Sequence, residues 1–337
     1  MNAPAQAGEE FKDDFRKALP KEVVLELTRR SAWRASVAVL EDFAVIALAV
    51  AVALAFWPNV FVVVPCVILI GTRQHALFVI THDAAHYLLF ENRKANDLVG
   101  RACASVQGLS MCTYRVIHRL HHNNLYGELD PDTALHGGYP RGRAYLIKKL
   151  LKDLTGFTAW KTYAYFLGGA PALNSATNVA LRPLDDTSAK LRSEARSDRN
   201  TVIAFHVVLL MIFAWSGYLV QYLVLWILPL VTVVQAILRL RAISEHGATT
   251  DLSSPLTAAR TNLVPAWLAW LLFPHHVNYH IEHHLYASVP HYNLPRLHRE
   301  MTQRGVLQGA EVLPFRLTLG KIFSEKRTAA TSAARGT

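Results

Sequence analysis

The sequence predicts an all-α integral membrane protein in which two transmembrane helical hairpins, about four spans, carry a cytoplasmic helical cap holding a di-metal site. Three observations predict it: two long apolar blocks, each interrupted by a turn signal; Lys and Arg absent from both turns; and histidines gathered in three ligand-spaced groups outside the apolar blocks. The 337 residues are 52% hydrophobic with a mean hydropathy of +0.18, above the ordinary soluble range. The formal charge of +10 would suit nucleic acid or an anionic membrane. With apolar runs this long the membrane is the expected partner, and nucleic acid is not. Cys66, Cys103 and Cys112 form no C-x-x-C and cannot all pair. That excludes a disulfide framework and a thiolate metal site and leaves inert buried thiols.

Residues 1–34 are charged throughout and lack the apolar core and cleavage site of a signal peptide. From Pro20, a favourable first helical residue, Val23, Val24, Leu25 and Leu27 interleave with charges, so this stretch is expected to be a cytoplasmic amphipathic segment. The main body, 35–322, holds the first apolar block, "FAVIALAVAVALAFWPNVFVVVPCVILIG" (43–71), with its turn at Trp57-Pro58-Asn59. A crossing needs about 20 helical residues. The block is therefore short for two spans unless its second helix continues through Thr72-Arg73-Gln74, which sets the hairpin at about 43–80. The second hairpin, 201–238, turns at Ser216-Gly217. Since neither turn carries Lys or Arg, the positive-inside rule puts the N-terminus, the middle segment and the C-terminal third together in the cytoplasm. "FTAWKTYAYFLGGAP" and "LVPAWLAWLLFP" are too short to span and read as interfacial or cap helices. The tail, 323–337, reads as disordered.

Into that cytoplasmic region fall His82-Asp83-Ala84-Ala85-His86, His118-Arg119-Leu120-His121-His122 and His280-Ile281-Glu282-His283-His284. Residues three and four apart share a helix face, so each box can turn two or three imidazoles toward one point. A single histidine near an interface is ordinarily a hydrogen-bonded amphipathic side chain. Eight in three ligand-spaced groups exceed the four ligands of a tetrahedral zinc site, and two metals sharing one site is the economical reading. Imidazole suits zinc, copper, iron and nickel alike; no H-E-x-x-H is present, against a zinc protease. Asp83, Glu245, Glu282, Asp130 and Asp132 stand where they could accept the free N–H of a histidine from another box, or remain solvated charges. Lys148, Lys149 and Lys152 suit an anionic acyl carrier or, more ordinarily, the interface.

The ordered trio HDAAH, HRLHH and HIEHH, with "HHVNYHIEHHLYASVPHYNLP" around the third, resembles the membrane-bound fatty acid desaturase family, over roughly residues 70–300. The same trio serves acyl hydroxylases, alkane hydroxylases and carotenoid oxygenases. The resemblance implies two Fe ions, O2 as co-substrate, a lipid or acyl-chain substrate, and an external electron carrier, a ferredoxin or cytochrome with its reductase. Carried over, the ligands are His82, His86, His118, His121, His122, His280, His283 and His284. A ninth lies between the second hairpin and box three: His246 is the choice and His276 its rival. His75, His136, His206, His275, His291 and His298 are left as non-ligands. The implied function is an O2-dependent di-iron desaturase introducing a double bond into a long acyl chain, in a bacterial inner membrane with its boxes on the cytoplasmic side. A hydroxylase or ketolase on the same scaffold is the alternative; a metal transporter is remote, because transport sites lie at the bilayer midplane. The sidedness is testable with cysteines placed in a background lacking the three native ones. Those at Asn59 and Gly217 should react with an impermeant thiol reagent from outside, and those at Gly127 and Ser288 only from within. Labelling of Gly127 and Ser288 from opposite faces would break the single-cap arrangement.

Overall fold

The structure is a computed structural model that describes residues 17–173, 180–185 and 187–325. Half of the expected N-terminal segment and nearly all of the expected tail lie outside these residues. Short α1 (Lys21–Leu27) precedes a hairpin of α2 (Ala32–Ala55) and α3 (Val60–Ala85). Next come α4 (Arg93–Val106), α5 (Met111–Asn123), α6 (Arg143–Leu154) and α7 (Ala159–Phe166). A second hairpin pairs α8 (Ala189–Trp215) with α9 (Leu219–His246). The C-terminal part holds α10 (Ala266–Leu272), α11 (His280–Leu285), α12 (Leu294–Gln303) and α13 (Phe315–Ile322). Two small strand pairs accompany them: antiparallel Ala172–Leu173 with Ala180–Leu181, and parallel Thr261–Leu263 with Val312–Pro314. The fold is that of an all-α integral membrane protein.

Among the described residues, four helices, α2, α3, α8 and α9, are long and apolar enough to cross a membrane. Their 24 to 28 residues extend about 36–42 Å at 1.5 Å per residue, beyond a hydrocarbon core of about 30 Å. The excess explains why the apolar blocks are shorter than the helices. α3 and α9 run past their apolar parts at the C-terminal end and carry His82 and His246 there; α8 brings its charged first turns from the same side. Outward-facing Leu48, Phe61, Met211 and Trp215 are exposed. Such a surface would be costly in water and is ordinary against lipid.

α3 is the central post, with 78% of its apolar window buried against 11% for α8. Close packing needs small residues, and Gly71 supplies one: a Cβ there would stand 2.6 Å from the Val233 side chain of α9. α9 is irregular at this contact, with a π-helical segment at Leu223–Ile227 just ahead of Pro229. Proline lacks an N–H and crowds the preceding turn, and a π segment relieves both. The α8–α9 turn needs Gly217, whose φ is +79°. Charge is buried between α2 and α3 as well: Arg73 lies 3.4 Å from Asp42, which takes His275 Nε2 at 2.7 Å on its other oxygen. Gly71→Leu should therefore cost about 1–3 kcal/mol through overpacking, seen as a lower unfolding temperature in detergent. An unchanged transition would refute the close approach of α3 and α9.

Candidate metal centre

Each box rides on a helix end that the fold pins from outside. His82 closes the last turn of α3 and His86 is its C-cap. The unpaired carbonyls there need donors. Arg115 of α5 supplies them to Ala84 (3.1 Å) and Ala85 (3.2 Å), and Asn96 of α4 adds a donation to Ala84 at 2.9 Å. Box two ends α5, whose N-terminus is capped by Ser110 and bound by buried Asp198 of α8, which accepts from Ser110 Oγ (2.9 Å) and the Cys112 amide (3.0 Å). A carboxylate at a helix N-terminus is favourable. The C-terminus of α9, which carries His246, is closed by buried Arg260, donating to the carbonyls of Ser244, Gly247 and Ala248 at 2.9–3.0 Å. Box three is α11, tied to the Thr261–Leu263 strand through the Ile281 amide, which donates to Thr261 Oγ1 (3.2 Å).

The imidazoles form two clusters. One holds His82, His86, His118, His122 and His283; the other holds His121, His246, His280 and His284, with ligand atoms in each within 4.8 Å of one another. The two H-x-x-H-H boxes divide in a reciprocal way. Each sends its outer pair to one cluster and its middle histidine to the other. Residues four apart on a helix differ by about 40° in direction while adjacent ones differ by about 100°, so His118 and His122 aim together and His121 aims elsewhere. Sequence spacing pointed all three at one place; helix geometry splits them between two. The structure brings His246, rather than its rival His276, into the centre.

Within the clusters Nε2 faces Nε2: His118–His122 at 2.9 Å, His122–His283 at 3.0 Å, His280–His246 at 2.8 Å, His280–His284 at 3.1 Å and His121–His246 at 3.2 Å. Several Nδ1 atoms are engaged on the far side. His121 Nδ1 meets Asp130 at 3.0 Å, His82 Nδ1 meets Asp83 at 3.3 Å, and His246 Nδ1 meets the Ala258 carbonyl at 3.4 Å. With the proton on Nδ1, Nε2 presents a lone pair. Lone pairs 3 Å apart repel unless a proton or a metal ion lies between them. Two nitrogens each about 2.1 Å from one ion and at right angles lie about 3.0 Å apart, so the donor set fits a metal in each cluster.

Protonation agrees. Burial holds His118, His122, His280, His283 and His284 well below the ordinary imidazole value and His86 down at about 3. Burial pulls His121 down too, but Asp130, Asp132 and Glu245 outweigh it and raise it to about 9. A metal entering the second cluster must displace that proton.

Of the five carboxylates expected to orient histidines, Asp130 does so for His121, while accepting the Tyr126 amide (2.8 Å) and the Asp132 amide (3.0 Å). Asp132 is 3.8 Å from the same Nδ1. Asp83 serves its own box rather than another, and its second oxygen holds His291 Nδ1 at 2.8 Å. Glu282 binds His298 (2.5 Å) and Thr261 (2.5 Å), neither of them in a cluster. Glu245 pairs with Arg241 at 3.2 Å. Among the histidines set aside, His136 packs on His246 (4.8 Å between centroids) and joins His121 and Asp130 in a third group of potential ligands. Sequence reading missed His136 in this position, and missed Arg115 and Arg260; nothing in their local spacing signals a partner so distant in the chain. The cysteines are buried, Cys103 pushed by burial up to about 12 and Cys112 to about 11.

A family model described as fatty acid desaturase matches residues 58–315. The chain is similar to the sn-2 acyl-lipid omega-3 desaturase (ferredoxin), chloroplastic, of Helianthus annuus, 26% identical over 302 residues, 83% of this chain and 63% of the relative. It is similar as well to an omega-3 fatty acid desaturase, chloroplastic, of Ricinus communis (27% over 304 residues, 83% and 61%). A Haematococcus lacustris beta-carotene 4-ketolase 3 is 30% identical over 115 residues, 32% of this chain and 35% of the relative. The chain spans less than two thirds of the length of these desaturases.

Replacing Asp130 with alanine should free the His121 ring and lower metal affinity about 10- to 100-fold. Metal retained after dialysis against graded chelator, read by elemental analysis, measures it, and parental retention would show that Asp130 does not orient the ligand.

Proposed function

The chain belongs to the fatty acid desaturase family, and from that premise we propose that it is an O2-dependent di-iron oxidoreductase that introduces a double bond into a long acyl chain. The observation that carries this reading is the convergence of nine histidines on two adjacent clusters at the ends of membrane-length helices. His82, His86, His118, His122 and His283 would hold one iron, and His121, His246, His280 and His284 the other. Two bound irons supply, with O2, the oxidising power to remove hydrogen from an unactivated methylene. The reaction balances as –CH2–CH2– plus O2, two electrons and two protons giving –CH=CH– and two waters.

The protein contributes position and exclusion of water. Asp83 and Asp130 keep the Nδ1 protons of His82 and His121 and turn Nε2 inward. Tyr114 stacks on His118 (5.5 Å between centroids) and packs with Phe78 and Phe166, giving box two an apolar floor. A small gap lined by Thr113, Ile117, Tyr165, Arg182, Leu184 and Asp185 opens along α5 just ahead of box two.

Charge supports cytoplasmic clusters, since neither hairpin turn carries Lys or Arg. The residues offer no dinucleotide-binding G-x-G-x-x-G and only buried cysteines, so the electrons are assigned to a separate ferredoxin or cytochrome with its reductase, met on the basic cap. The ferredoxin in the Helianthus annuus relative's name favours the former. A second reading, oxygen insertion as in a hydroxylase or ketolase, has its support in the ketolase similarity. Metal transport is disfavoured because the clusters sit at helix ends, not at mid-span on broken helices.

Reconstituted protein given reductase, carrier, O2 and a panel of acyl lipids should yield products lighter by two hydrogens in mass spectrometry. Products heavier by oxygen would move the assignment to hydroxylation or ketolation, and turnover on NADH alone would remove the need for a carrier.

A further inference from the structure

Five nitrogens converge on one cluster and four on the other, and beside the four stands a carboxylate. Glu245 Oε2 lies 3.8 Å from His280 Nε2. That nitrogen is the one placed 2.8 Å from His246 Nε2 and 3.1 Å from His284 Nε2, so the carboxylate is on the cluster side of the His280 ring. Glu245 is 2% exposed. Arg241, one turn earlier on α9, has its Nε 3.2 Å from both carboxylate oxygens, with hydrogen-bond geometry only to Oε2. The other nearby carboxylates are turned elsewhere: Asp83 to His82 and His291, Asp130 to His121 and two amides, Glu282 to His298 and Thr261.

Charge makes the position consequential. Two divalent ions held by neutral imidazoles alone leave a charge of about +4 in a buried site, and buried charge is costly without an opposing one. Imidazoles completed by a carboxylate are a donor set that suits ferrous iron. We propose that Glu245 is a tenth ligand, supplying a carboxylate oxygen to the ion held by His121, His246, His280 and His284. The assignment rests on the two-metal reading above. Arg241 holds the carboxylate beside the four-nitrogen cluster, with Oε2 3.8 Å from His280 Nε2.

The test loads the full chain with 57Fe in detergent and records iron per chain and the Mössbauer spectrum for the parent, Glu245→Gln, Glu245→Asp and Arg241→Gln. The parent should show two unequal iron environments in equal amounts. Glu245→Gln, and Glu245→Asp with its shorter reach, should alter one environment, leave the other as it was, and weaken iron binding at the altered site about 10- to 100-fold. Arg241→Gln, which breaks the ion pair but keeps the carboxylate, should retain both environments. The inference is overturned if both Glu245 variants keep the parental spectrum and iron content, or if Arg241→Gln reproduces the Glu245→Gln change, since the ion pair would then account for it. A parent lacking a second iron environment would overturn the two-metal reading, and this inference with it; two environments that ignore Glu245 would overturn the inference alone.

Discussion

Imidazole nitrogens that face one another at 2.8–3.2 Å inside a protein need a proton or a metal ion between them, and the rest of this structure is arranged to hold them there. The convergence draws on four helices spread over some 200 residues of chain, from His82 to His284. Nothing local keeps them together. The two H-x-x-H-H boxes interlock by each lending its middle histidine to the other's cluster. Neither cluster is complete without both boxes, which ties the two clusters to a single folded unit.

Helix ends are where such a site can be built, and also where backbone carbonyls lack partners. The fold meets both demands with the same residues. Arg115, on the helix of box two, closes the helix of box one, and Arg260 closes the helix of His246. Positive charge at a helix C-terminus is favourable in its own right, and here it fixes the terminal turn from which a histidine reaches inward. The membrane supplies the remaining constraint. Long helices packed closely at Gly71 and Val233 hold α3 and α9 in register, so His82 and His246 arrive at the same level beyond the apolar zone.

Fatty acid desaturases and carotenoid ketolases both resemble this chain, which accords with a division of labour. Under the function proposed above, the clusters and their carboxylate supports would set what oxidation is available, and the shape of the substrate path, which no motif marks, would decide between hydrogen removal and oxygen insertion.

The sequence by itself determined the fold class, the two hairpins with their turns at Trp57-Pro58-Asn59 and Ser216-Gly217, and the three boxes. Each follows from a local pattern: an apolar run matched to a bilayer, a turn residue, an i, i+3, i+4 spacing. Choosing His246 over His276 as the histidine that meets the boxes drew on the family resemblance, and the structure places His246 beside His121, His280 and His284. Helical spacing separates the middle histidine of each H-x-x-H-H box from its outer pair, but only the tertiary structure decided which histidines of different boxes share a cluster. That depends on the angle at which each helix enters the site, and a linear spacing does not contain it. The same holds for the carboxylates. Asp130 lies nine residues from the histidine it orients, whereas Asp83 reaches His291, 208 residues away, and Glu282 turns to His298. Hydrogen bonds such as these are settled by which side chains the packed helices bring within 3 Å.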